Sequence, residues 1–229
     1  TATPFIVIGV LQTISVFPLT LLRNVQPNHG KEVIQSPLFL LKAGPTIAAG
    51  CILVGLIDLS LISLIPVLVS RMPLALGSLA YLLPIAAGLG NVILQYPLAL
   101  IAGKWGYRTT AYYVTIFGIV CCSLIPFFLI SMSISLTLAF LGCGLIYFMY
   151  TISLAMLSER FQGNKLISAN ASFIILFELS NLIGPIIAGL FLDRSLNYGL
   201  SVFLILVGVL YLFVAKIRDF QRNQNNSKV

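Results

Sequence analysis

Long apolar runs follow one another along this chain, and Lys and Arg fall almost entirely in every second gap between them. With the gaps taken alternately, one side holds Arg23, Lys31, Lys42, Lys104, Arg108, Arg160, Lys165, Lys216, Arg218, Arg222 and Lys228, and the other only Arg71 and Arg194. Loops rich in Lys and Arg resist translocation, so the basic side is expected in the cytoplasm. A chain patterned this way folds as a polytopic membrane protein, with its orientation written in its loops. The net charge of +7 is then a topology signal and calls for no nucleic-acid partner.

Composition points the same way. With 59% hydrophobic and 8% charged residues over 229 positions, the chain lacks the polar surface that a soluble domain of this size needs. A membrane span takes about 20 mostly apolar residues, and every backbone group within it must be hydrogen-bonded internally, which favours helices. The hydropathy pattern predicts seven spans, at residues 4–22, 44–69, 76–101, 110–130, 134–156, 168–192 and 197–215. The short segments of alternating polarity that mark an outer-membrane barrel do not appear. The expected class is an all-α polytopic membrane helical bundle, held in the lipid bilayer.

The sequence opens with Thr1 at an apolar run, without an initiating Met and without a basic signal-peptide start. The first span, 1–22 with its lead-in, is therefore expected to begin outside and to follow further chain. Residues 23–43 read as a polar cytoplasmic linker, carrying Pro27, Asn28, His29, Gly30, Lys31 and Glu32. Within it, Ser36-Pro37-Leu38-Phe39-Leu40-Leu41-Lys42 suits either a short interfacial helix or an early start of the next span. Residues 44–215 hold the remaining six spans, and 216–229 reads as a disordered cytoplasmic tail. Cys51, Cys121, Cys122 and Cys143 all fall within spans, where small apolar packing is the expected role; no metal-ligand spacing is present.

Residues 95–108, Gln-Tyr-Pro-Leu-Ala-Leu-Ile-Ala-Gly-Lys-Trp-Gly-Tyr-Arg, form a glycine-containing turn with two cations and flanking aromatics. Gly103 and Gly106 permit the turn, while Lys104 and Arg108 suit lipid phosphates or a helix C-terminus. This stretch resembles the signature G-x-L-A-D-R-x-G-R-[KR] of the major facilitator superfamily, which joins the second and third helices of each six-helix half. Ile101, Ala102, Lys104, Gly106 and Arg108 fit. Ala99 replaces the first Gly, Gly103 the acid and Tyr107 the first Arg of the final pair. The family's acid pairs with cations across the interface between halves, and that carboxylate is absent here. Gln95-Tyr96-Pro97, Ser158-Glu159-Arg160 and Gly184-Pro185 extend the likeness to the C-terminal half of bacterial drug- or metabolite-type permeases. The resemblance implies a six-helix half of three-plus-three inverted repeats, preceded by one extra transmembrane helix from the other half, and a plasma-membrane setting with a cytoplasmic C-terminus.

Polar residues inside the spans are the functional candidates. Asp58 lies mid-span, where a charge costs roughly 2.5–3.5 kcal/mol on insertion scales, so it should face a cavity, pair or stay protonated. It could carry a coupling proton, contact a cationic substrate or serve packing; Cys51, Gly55 and Asp58 share a face that should leave space beside the carboxyl. Glu178 is the second intramembrane acid, with Asn181 and Pro185 on its stripe. Asn91 and Gln95, four residues apart, form another polar stripe, lining a pathway or joining helices. Gly184 and Pro185 read as a packing site or a hinge. Glu159 and Arg160 open a cytoplasmic gap where exchangeable ion pairs are expected.

Three classes of function compete. A secondary active transporter of a small solute, working by alternating access and coupled to protons, is the leading expectation; the chain would be its C-terminal fragment and would need the missing N-terminal half. A seven-helix receptor or another non-transport membrane protein is the alternative, suggested only by span number; no Lys sits mid-membrane to hold retinal. A membrane enzyme would need a nucleophile with its base or clustered His and acids, and the single His lies in a loop, so no enzyme is expected. No G-x-x-x-x-G-K-[ST] loop is present for ATP, and no cofactor or metal is implied.

Overall fold

The computed structural model describes residues 9–10, 13–14, 38–71, 81–196 and 198–226. The chain divides into two compact units, Thr1–Val33 and Ile34–Val229. Of the first, the four described residues are helical, and the Thr13 hydroxyl donates to the Gly9 carbonyl at 2.8 Å. The rest of the first predicted span, and the linker up to residue 37, lie outside the described residues.

The second unit is helical throughout its described regular structure. It runs α1 (Phe39–Ala43), α2 (Pro45–Arg71), α3 (Leu82–Trp105), α4 (Tyr107–Leu124), a 3₁₀ turn (Ile125–Phe128), α5 (Met132–Arg160), α6 (Asn164–Arg194) and α7 (Gly199–Asn226). Six of these, α2 to α7 with the 3₁₀ turn continuing α4, are long and apolar enough to cross a membrane. The protein is thus a polytopic helical bundle. Gly44 ends α1, its N–H bonding the Leu40 carbonyl at 2.8 Å, so the segment before the first of the six is a separate short helix. Gly106 makes the turn between α3 and α4 at φ 83, a backbone region where side chains other than glycine are strained.

Most helices overrun the predicted spans. The 29 residues of α5 extend over about 43 Å at 1.5 Å per residue, enough to cross the headgroup layers as well as the hydrocarbon. Hydropathy marks only the hydrocarbon portion. The largest departure is α7, which continues to Asn226 where a disordered tail was expected after residue 215. Side-chain ties explain part of that extension: Arg218 donates to Gln221 one turn on at 3.2 Å, and Asp219 is anchored to α4. At the far end of α4 the helix tightens before Pro126, the Ile125 N–H bonding the Cys122 carbonyl three residues back.

The six long helices pack as a front row in the order α3, α5, α2, α6, with α4 and α7 behind it. The two most extensive contacts are α3 with α5 and α2 with α6. Exchanging the triplets α2–α4 and α5–α7 turns one contact into the other, the relation expected of three-plus-three repeats. Glycines make both contacts possible. A Cβ on Gly90 would overlap the Phe140 carbonyl, and one on Gly144 would lie 2.7 Å from Gly90. In the other pair, a Cβ on Gly55 would lie 2.6 Å from the Phe177 carbonyl oxygen, and one on Gly184 would strike the Leu56 carbonyl. Small residues let backbones approach, which is what drives association where lipid gives no hydrophobic incentive. The row's end helices, α3 and α6, are the least buried of the six and expose Val92, Tyr96, Leu182 and Leu190.

Candidate functional site: a polar band across the front row

One of the two middle helices of the row, α5, carries Tyr147, Tyr150 and Thr151 at helical spacing of three and four residues, so all three lie on one face. That face links the polar residues of the neighbouring helices. On one side Thr151 donates through Oγ1 to Gln95 Oε1 at 2.9 Å, and Gln95 Nε2 donates to Asn91 Oδ1 at 2.8 Å. On the other, the Tyr147 hydroxyl stands close enough to interact with the Asp58 carboxyl on α2. Glu178 of α6 stands close enough for its charge to act on both Asp58 and Tyr150. The Tyr150 ring packs edge-on against Phe173 and Phe177, at 5.1 and 5.0 Å between centroids, which holds α5 against α6 near these acids.

The local geometry has a sequence cause. Asp58 follows Gly55 by three residues and Tyr147 follows Gly144 by three. Each glycine packs its helix against an outer neighbour, α6 for Gly55 and α3 for Gly144, and Asp58 and Tyr147 lie one turn beyond on the two central helices. The two equivalent positions, one in each triplet, meet each other there.

Asp58 and Glu178 are therefore brought together, and Asn91 and Gln95 are bonded to each other. Asn181 faces the α2 contact beside Gly55, its Oδ1 buried without a hydrogen-bond partner. The space expected from the small residues on the Asp58 face is taken up at Cys51 and Gly55. The face shared by Cys51 and Gly55 is filled by α6, with Cys51 Sγ donating to the Phe173 carbonyl at 3.1 Å and Gly55 against Phe177 and Ser180. A run of small residues in a span signals a helix neighbour as readily as a cavity. Gly184 packs on Leu56 and Ser60, and Pro185 lies within α6. Tyr147, Tyr150 and Thr151 were not singled out from sequence, although their spacing in an otherwise apolar stretch was a readable signal.

The Gly103, Lys104, Gly106 and Arg108 turn lies apart from this band, at the end of the bundle where most basic residues collect. Arg108 Nη1 reaches Asp219 Oδ1 of α7 at 2.8 Å, and the Tyr112 hydroxyl donates to Asp219 Oδ2 at 2.9 Å. An acid from the last helix thus meets the signature cation, in a loop whose own acidic position is Gly103. Lys104 is exposed, and Glu159 forms no ion pair among the described residues. At the opposite end Arg71 of α2 and Asp193 of α6 are 2.6 Å apart, tying the same two helices that carry Asp58 and Glu178. Among the described residues no group of three or more His, Cys, Asp or Glu side chains is gathered to hold a metal.

No protein-family model matches the chain. Among curated proteins it is similar to an uncharacterised MFS-type transporter, YE1530, of Yersinia enterocolitica, with 24% identity over 165 residues, 72% of this chain and 42% of that protein. It is also similar to the uncharacterised MFS-type transporter YcaD of Salmonella paratyphi B and of Salmonella newport. In each the identity is 22% over 192 residues, 84% of this chain and 48% of the relative. The chain spans about half the length of the curated relatives it matches.

Proposed function

We propose that this chain, similar over most of its length to MFS-type transporters, forms one six-helix half of a secondary active transporter that moves a small solute by alternating access. The observation that carries this reading is the polar band: two acids, a tyrosine and an amide pair lie side by side across the row whose end helices are least buried. Polar groups at that depth are costly in lipid and belong beside a water-filled pathway. The second half of the transporter would cover the exposed α3 and α6 faces, close the cavity and rock against this one. The C-terminus would lie in the cytoplasm of a bacterial cell, since the basic ends of the helices stay on that side.

Asp58 is the coupling group in this reading. It sits at mid-span, with the Tyr147 hydroxyl and Glu178, a second carboxyl, close by. A carboxyl held within a span, with a hydroxyl and a second acid near it, suits the binding and release of one proton or a cationic solute. The test uses the full-length parent in proteoliposomes loaded with a pH-sensitive dye, challenged with cationic amines, organic acids and sugars in turn. Solute-dependent proton movement in the wild type, abolished by Asp58→Asn, is expected. Unchanged proton movement in the variant would remove Asp58 from the coupling role.

A further inference from the structure

At the basic end of the bundle a cavity of about 980 Å³ opens between the starts of α2 and α4 and the ends of α3, α5 and α7. Lys42, Arg108, Arg160 and Arg218 line it, against one acid, Glu159. A bias of Lys and Arg to one side explains why the cations are at this end, but not why four of them, from four separate segments, line one hollow. Lys104, Lys165 and Lys216 lie at the same end and do not. Arg108 is neutralised by Asp219, whereas Lys42, Arg160 and Arg218 have no acidic partner among the described residues. The cavity wall also includes the first residues of two long helices, Pro45-Thr46-Ile47 and Tyr107-Arg108-Thr109; the leading N–H groups, those of Thr46 and Ile47 in the first since Pro45 has none, have no acceptor within their own helix. Cations and helix starts converging on one place favour a polyvalent oxyanion.

A second hollow says which kind. On the other side of the α3–α4 turn an apolar groove of about 520 Å³ is lined by Leu98, Ile101, Trp105, Tyr113 and Phe117. Thr109 borders both hollows, so they adjoin at the start of α4. A free phosphate would use only the first; a phosphate attached to an acyl chain would use both. Basic hollows between transmembrane helices at the level of the headgroups suit anionic lipids. We propose that this end of the protein is a binding site for an anionic phospholipid, its phosphate among Lys42, Arg160 and Arg218 and an acyl chain along the Trp105 groove.

Trp105 is the only tryptophan of these 229 residues, so in the full-length parent, with any tryptophan outside them replaced by phenylalanine, the site carries its own probe. The protein is placed in phosphatidylcholine nanodiscs, and either dibrominated phosphatidylglycerol or dibrominated phosphatidylcholine is raised stepwise while Trp105 fluorescence is read. The expected result is quenching at a several-fold lower mole fraction of the anionic lipid. That preference should fall to near parity in Lys42→Gln with Arg160→Gln and Arg218→Gln, and persist in Arg160→Lys and in Lys165→Gln, which removes a cation from the same end outside the cavity. Should the triple variant fail to fold, Lys42→Gln alone, on an exposed side chain, should halve the preference or more. Equal quenching by the two lipids, or a preference that survives these substitutions, would overturn the proposal. A third arm adds inorganic phosphate against chloride at matched ionic strength. Thermal stabilisation by phosphate with no lipid preference would assign the cavity to a soluble anion and overturn the lipid.

Discussion

Arg108 at the start of α4 and Asp219 near the end of α7 are joined at 2.8 Å, although 111 residues separate them in sequence. Tyr112 holds the other carboxylate oxygen at 2.9 Å, so Asp219 is gripped by two residues one turn apart on α4. The pair ties the last helix to the glycine turn and supports a stretch of α7 whose polar sequence would not hold a helix by hydropathy alone.

Asp219→Asn should therefore loosen the end of α7. With the two side chains 40% and 35% exposed, water and salt screen the pair, and the expected loss is about 0.5–1 kcal/mol. The sharper readout is local. Hydrogen exchange across 216–226 should accelerate while that of α5 does not change; uniform exchange rates in wild type and variant would show that the pair does not hold the extension.

The close helix contacts predict a contrast between neighbouring glycines. Gly90→Ala places a methyl group onto the Phe140 backbone and should cost about 1–3 kcal/mol through forced separation of α3 and α5. Gly88→Ala meets nothing within 4 Å and should be neutral, or stabilise by about 0.5–1 kcal/mol through helix propensity. Melting temperatures in detergent would compare them, and equal effects would contradict the packing.

Tyr147→Phe keeps the ring and removes the hydroxyl close to Asp58. If the two act as one unit, proton movement in the parent should fall partially in Tyr147→Phe, and Tyr147→Phe added to Asp58→Asn should change nothing further. Multiplying defects in the double variant would show that they act independently.

The link between Thr151 and Gln95 should be weaker than either helix contact. A double-mutant cycle on Thr151→Val and Gln95→Leu, read by thermal unfolding, should give a coupling of about 0.6 kcal/mol, as found on average for hydrogen bonds between membrane helices. A coupling indistinguishable from zero would mean that Gln95 turns to Asn91 alone.

Much of the fold is legible in the residues. Six spans could be located, though the last helix runs eleven residues past its predicted end, because lipid leaves the backbone no choice but to satisfy itself, and the glycine turn at Gly106 could be seen from its neighbours. Asp58 and Glu178 stood out because an acid in an apolar run is costly. Their partners did not stand out. Tyr147 and Thr151 are compatible with lipid, packing or function alike, and only the position of α5 between α2 and α3 gives them a role. The small face of Cys51 and Gly55 was misread as space for the same reason: a missing side chain looks alike whether a cavity or another backbone takes its place.

By itself the sequence determined that the chain enters a bilayer as helices and which of their ends are basic, since transfer of apolar surface and the siting of Lys and Arg are properties of each segment alone. Only the tertiary structure decided which segments touch. The pairing of Gly90 with Gly144 and of Gly55 with α6 sets the order of the front row, and that order brings Asp58 to Tyr147 and four cations to one cavity. These are contacts between residues distant in sequence. Helical periodicity constrains the face a residue occupies, but packing between whole helices chooses its neighbour.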